Sequence, residues 1–216
     1  KVKIPAKETF PYNPKTEYEK SKMQSEILVK ESGIPYTILR ASIILGPNDI
    51  WLKIFGAAKK KYPIIGSGKN HFHLTYIDDV ISLLVLVMGH EKAKNKIFHI
   101  ATKDMPTYKE VYKMICNEMH IPIVKKHIPV FLINLVAAFH FLFCKIKGKK
   151  PKLTLRKSSI NRLIRNRMLS IEKLKEVLYF EPKYDTRTAI RETLSQLSMA
   201  KLGYSDHELA EINSLK

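Results

Sequence analysis

At 216 residues and 45% apolar content, the chain is long enough for one domain, or one plus a small lobe, with a real core. Low Gly (8), modest Pro (11) and the lack of any repeat exclude fibrous and disordered classes, and two cysteines far apart exclude a disulfide framework or cysteine metal site. An excess of 38 Lys+Arg over 20 Asp+Glu gives +18, which favours phosphates, nucleic acid or an anionic membrane and says nothing about fold. The first twenty residues contain no apolar h-region, so no secretory signal is expected and a reducing, cytoplasmic setting fits.

Residues 1–14 are interrupted by Pro5, Pro11 and Pro14 and read as a loop. A helix is predicted over 15–32, with Met23, Ile27 and Leu28 on one side and Gly33 as its stop. PYTILRASIIL reads as one buried β run closed by the turn at Gly46-Pro47-Asn48-Asp49. A helix over 50–60 comes next, capped by Asn48 or Asp49. HFHLTYI alternates like a strand and would put His71 and His73 on one face. Asp78 and Asp79 open a strongly apolar helix, where carboxylates suit the free N–H groups, so a structural role is expected for both. KIFHIA is a strand, Thr107 caps an amphipathic helix, and PIVKKHI returns as extended chain. Helices are expected over 130–146, 155–166, 170–179 and 186–202. Strand–helix alternation and then a run of helices predict an α/β sheet over 1–105 and a mainly helical lobe over 106–216.

The segment 129–146 is nearly all apolar yet shorter than the about 20 residues a membrane span needs. It reads either as a buried helix of the second lobe or as an interfacial helix. The interfacial reading draws on the adjoining basic block: ten basic residues and no acid between Lys145 and Arg167, which together suit an anionic membrane surface contacted through 129–167. The basic excess lacks aromatic platforms, a helix-turn-helix or a zinc-finger pattern, which argues against nucleic acid. The histidines show no zinc-type spacing, so no metal is expected, and Trp51 reads as core or pocket wall.

Chemistry concentrates at Tyr18 and Lys22. Four residues apart on a helix, they share one face about a turn apart. A free phenol with a pKa of about 10 is a poor base at neutral pH. A neighbouring ammonium favours phenolate, and a phenol so tuned can take a hydroxyl proton or return one to a carbonyl. The spacing alone is a weak signal; its context is more specific.

NPKTEYEKSKMQSEILVKESGIPYTILRASIILGPND resembles the extended short-chain dehydrogenase/reductase family of NAD-dependent epimerase/dehydratase type. The matching pieces are Tyr18 to Lys22, Glu26, the strand ending Leu39-Arg40, and Gly46-Pro47. Ile77-Asp78-Asp79-Val80, IFHIATKDMPTYKEVYKMI and SIEKLKEVLYFEPKYDTRTAIRETL continue the likeness in family order. The resemblance implies a partial Rossmann-type, doubly wound parallel sheet with a mainly helical C-terminal substrate lobe. It implies NAD or NADP as cofactor, Tyr18 as general acid/base, and Lys22 lowering its pKa and holding the nicotinamide ribose. Ala41, Ser42, Ile43 and Ile44 would lie against the nicotinamide. The substrate would be a nucleotide sugar or a sterol- or isoprenoid-like alcohol or ketone, and the assembly a homodimer.

Two departures stand out. Ala41 replaces the family's proline after the arginine, and no Gly-x-x-Gly-x-x-Gly turn occurs to seat a pyrophosphate. The expectation is a C-terminal portion of a larger enzyme. The rival readings are a non-catalytic remnant and a peripheral membrane-associated binding protein.

Overall fold

The computed structural model describes residues 5–148 and 157–197. Part of the basic run, the start of the helix expected at 155 and the end of that expected to reach 202 lie outside the described residues.

The chain forms two compact units. The first gathers 1–45, 73–105 and 167–189. It opens with α1 (Glu17–Glu31), whose Thr16 hydroxyl accepts the Glu19 N–H while the Glu19 carboxylate accepts back from Thr16. No residue of α1 is fully buried: Met23 and Ile27 are half covered and Leu28 is exposed, so the expected apolar side is only weakly used. The run expected as one strand is two, β1 (Thr37–Ala41) and β2 (Ile43–Leu45), broken at Ser42. The break lets each half take its own parallel partner. β1 pairs with β5 (Lys96–Ile100), Thr37 facing Lys96, and β2 pairs with β4 (Leu74–Tyr76), Ile43 facing Leu74.

Helix α3 (Ile77–Val87) continues directly from β4 and buries Val80 and Leu83. They join Phe98 and Ile100 of β5 and Leu174 and Leu178 of α7 (Glu172–Leu178) in one apolar cluster. Parallel strands joined through helices are the βαβ arrangement expected of an α/β sheet. Asp79, buried at the start of α3, accepts the N–H groups of Lys183 at 2.9 Å and Tyr184 at 3.2 Å. Burial raises its pKa and those two donors oppose the rise. Replacing Asp79 by Ala would strand both donors and is expected to cost about 2 kcal/mol, measured by urea denaturation.

The second unit gathers 46–72, 106–166 and 190–216. Asn48 caps α2 (Asp49–Lys59) through its side chain. Thr107 and Glu110 form a capping box on α4 (Tyr108–Glu118), and α2 packs on α4. Trp51 is core, beside Phe55. Two-residue strands β3 (Ile64–Ile65) and β6 (His127–Ile128) pair in parallel, so the expected extended segment 122–128 contributes only its end. Helices α5 (Val130–Ile146) and α6 (Lys157–Ile164) pack together, and α8 runs over Thr186–Gln196. The strand expected over 71–77 shrinks to Leu74–Tyr76. Phe72 N–H instead bonds the Pro106 carbonyl, and His71 bridges antiparallel to Thr107, so His71 and His73 do not share a strand face.

Candidate active site

Tyr18 and Lys22 lie in the first turns of α1, four residues apart and both exposed, Tyr18 by 66%. Neither side chain has a hydrogen-bond or ion-pair partner among the described residues. A phenol and an ammonium thus stand free on one solvent-facing surface.

What orients α1 is charge rather than apolar burial. Arg40 of β1 grips Glu26 of α1 with two hydrogen bonds, Nε to Oε2 at 3.0 Å and Nη2 to Oε1 at 2.7 Å. Its third nitrogen donates to the Glu8 carbonyl at 3.0 Å. The Tyr12 hydroxyl donates to Glu26 at 2.7 Å and accepts from Lys30 at 2.8 Å, and the Arg40 guanidinium lies over the Tyr12 ring. Burial alone would raise the Glu26 pKa. The Arg40 and Tyr12 hydrogen bonds, with the Arg40 charge, outweigh it and hold the carboxyl down at about 2. Glu26 and Arg40 stand in separate pieces of the sequence likeness; the fold joins them.

His99 faces Arg40 across the β1–β5 ladder and is buried. Its backbone N–H donates to Glu8 Oε1 at 2.9 Å, while its ring Nδ1 lies 4.0 Å from that oxygen, too far for a hydrogen bond. Burial lowers its pKa, the Glu8 carboxylate opposes and Arg40 adds to the lowering. A folded-state pKa below the unfolded one means the unfolded chain takes the proton first. The contribution of His99 is therefore complete above about pH 6.5 and declines as pH falls below it. The urea midpoint is expected to drop between pH 8 and pH 5.5, and to drop less in His99→Gln.

The segment 41–44, strand on either side of Ser42, is pinned from both sides. Ala41 ends β1. Ser42 N–H donates to the Ile100 carbonyl at 3.0 Å, and its hydroxyl donates to the His73 carbonyl. His73 is itself fixed: Nδ1 accepts from Leu169 N–H at 3.2 Å and Nε2 meets the Thr102 carbonyl at 2.9 Å, which selects the neutral Nε2–H tautomer. Ile43 pairs with Leu74, and Ile44, opposite Thr75, is 40% exposed. These residues sit at the carboxyl end of β1, the end at which open α/β sheets bind ligands. The roles of Tyr12, Glu8, His73 and His99 are invisible in the sequence. Their only signal is type, and nothing local reveals that segments so far apart meet.

Residues 1–101 match the NAD dependent epimerase/dehydratase family. The chain is 27% identical over 219 residues to 3beta-hydroxysteroid-dehydrogenase/decarboxylase isoform 1 of Arabidopsis thaliana, a match covering 91% of this chain and 49% of that protein. It is similar to the structure of UDP-glucose 4-epimerase with UDP-glucose from Thermotoga maritima, with TM-score 0.62 and 24% identity over 90% of this chain and 58% of that one. It is also similar to UDP-glucuronic acid 4-epimerase from Bacillus cereus in complex with NAD, with TM-score 0.64 and 17% identity over 88% and 55%. These likenesses establish the fold as Rossmann-type α/β. The chain spans about half the length of the curated relatives it matches.

Proposed function

We propose, from the match of residues 1–101 to the NAD dependent epimerase/dehydratase family, that the chain serves an NAD(P)-dependent epimerase, dehydratase or dehydrogenase of the extended short-chain dehydrogenase/reductase type, with Tyr18 as acid/base. The observation that carries this reading is the free Tyr18–Lys22 pair on one exposed turn of α1, in the same unit as the pinned segment 41–44. A donor ammonium, a phenol and a short apolar wall suit the nicotinamide end of a dinucleotide. When bound, NAD or NADP supplies or accepts the hydride.

The chain's own residues do the remaining work. Lys22 offers hydrogen bonds to ribose hydroxyls. Tyr18 takes the proton of a substrate hydroxyl through its oxygen, or returns one to a carbonyl. Ala41, Ser42, Ile43 and Ile44 form the wall for the nicotinamide. Glu26 and Arg40 touch no substrate; they position α1. Ala41 keeps at the end of β1 a backbone N–H that a proline would lack.

The substrate class rests on relatives of two kinds, a sterol enzyme and nucleotide-sugar enzymes. A hydroxyl or ketone on a nucleotide sugar or on a sterol- or isoprenoid-like molecule fits both the chemistry and this range. A cytoplasmic homodimer is the assembly that accompanies this reading.

Two measurements test it. NADH and NADPH are titrated calorimetrically into the polypeptide, and UDP-sugars and sterol alcohols are supplied with either coenzyme, products being identified by mass spectrometry. Weak coenzyme binding is expected of this polypeptide alone, because it has no Gly-x-x-Gly-x-x-Gly turn to seat the pyrophosphate. Conversion is therefore measured with the polypeptide joined to the cofactor-binding half of a relative, where it is expected to depend on Tyr18. Conversion undiminished in Tyr18→Phe would sink the reading and leave a non-catalytic binding protein.

A further inference from the structure

Helix α5 is built inside out. Its protein-facing side carries mostly small or polar groups, with Ala137 and Cys144 buried and Asn134 and His140 half covered beside Ile133. Its large apolar residues point to solvent. Eight of these, Phe131, Phe139 and Phe143 among them, are more than half exposed, and at 100° per residue all but Phe141 fall within an arc of about 140°. Soluble helices place such residues on the covered face, and a contiguous apolar arc left outside marks a docking surface.

The charge around the arc says what covers it. Lys145 and Lys147 close the helix, both exposed, and the Lys147 ammonium lies 4.5 Å from the Phe143 ring centroid. A cation therefore sits against the rim of the apolar face. The sequence holds no acidic residue between Glu118 and Glu172. Cations at the edge of an apolar arc, with no carboxylate near in sequence, match a layer of hydrocarbon beneath anionic headgroups. Seventeen residues reach about 26 Å, against about 30 Å of hydrocarbon, and among the described residues no helix is long and apolar enough to cross a membrane.

We infer that the outer face of α5 seats this protein on an anionic lipid surface, the helix lying in the plane of the headgroups with Lys145 and Lys147 on lipid phosphates. The inference is independent of the coenzyme chemistry, since it uses no residue of α1 or of the segment 41–44.

The test is flotation of the whole chain with phosphatidylcholine vesicles, with and without phosphatidylglycerol, at low and high salt. Binding is expected on the phosphatidylglycerol vesicles and is expected to weaken with salt. The triple variant F131S/F139S/F143S changes only exposed side chains, so circular dichroism should report an unchanged fold, while vesicle binding falls at least about tenfold. If that variant misfolds, K145E/K147E supplies the reading, with binding lost on anionic vesicles alone. Equal binding to both vesicle types, or either folded variant binding like the parent, would overturn the inference. So would a parent chain that ignores vesicles and sediments as a dimer that F131S/F139S/F143S dissociates, because a second copy then covers the face.

Discussion

Tyr18→Phe is expected to lower kcat by roughly 10²–10⁴-fold, the usual contribution of a positioned acid/base group. Stability should stay within about 0.5 kcal/mol, because Tyr18 is two-thirds exposed and its hydroxyl has no partner among the described residues. That split separates a chemical role from a structural one: a fall in kcat without a shift in the urea midpoint assigns the proton step to this oxygen. Lys22→Met should give a second signature: with the ammonium's hydrogen bonds to ribose lost, KM for the coenzyme rises. An unchanged coenzyme KM would show that the ammonium does not hold the ribose.

Arg40→Ala is expected to destabilise the chain by about 3 kcal/mol, since it leaves the mostly covered carboxylate of Glu26 without its principal partner. The depressed Glu26 pKa sets the sign of the pH dependence. Its contribution is present above the unfolded value near 4.5 and is lost as pH falls toward about 2. The parent should therefore lose stability across that window, and Arg40→Ala should lose much less there. Glu26→Gln keeps the shape and removes the charge. A double-mutant cycle between the two, read by urea denaturation, should return a coupling of about 1–3 kcal/mol. Since α1 carries Tyr18, both variants should also reduce kcat, though neither residue is a catalytic group. A coupling near zero would mean that something other than this clamp holds the helix.

Local signals are legible in the sequence where caps and periodicity define an element by themselves. α5 begins and ends where its apolar run does, and Asn48 and Thr107 cap the helices that their positions predict. What stays hidden is non-local. PYTILRASIIL looks like one strand because its β-forming residues run on through position 42. The break at Ser42 appears only once Ile100 and His73 supply partners for its N–H and hydroxyl. Periodicity gives no warning that α5 turns its phenylalanines outward, because a helix apolar all round has no preferred inner face to read. Tyr18 and Lys22 are legible through their spacing and the motifs around them. The clamp that aims them is legible only in its parts: Glu26 and Arg40 each belong to a recognisable segment, and their pairing needs the helix folded back on its strand.

The doubly anchored Ser42 bears on how a ligand would be received. A flexible loop must surrender conformational freedom when it closes on a guest, a cost that weakens binding. Here the backbone and hydroxyl of Ser42 are already held by Ile100 and His73, and the His73 ring is held by Leu169 and Thr102. A molecule arriving at residues 41–44 meets a surface whose ordering was completed when the chain folded. On the proposed reading of 41–44 as the nicotinamide wall, affinity would depend on how well a guest matches a fixed shape, and selectivity there would come from rigidity.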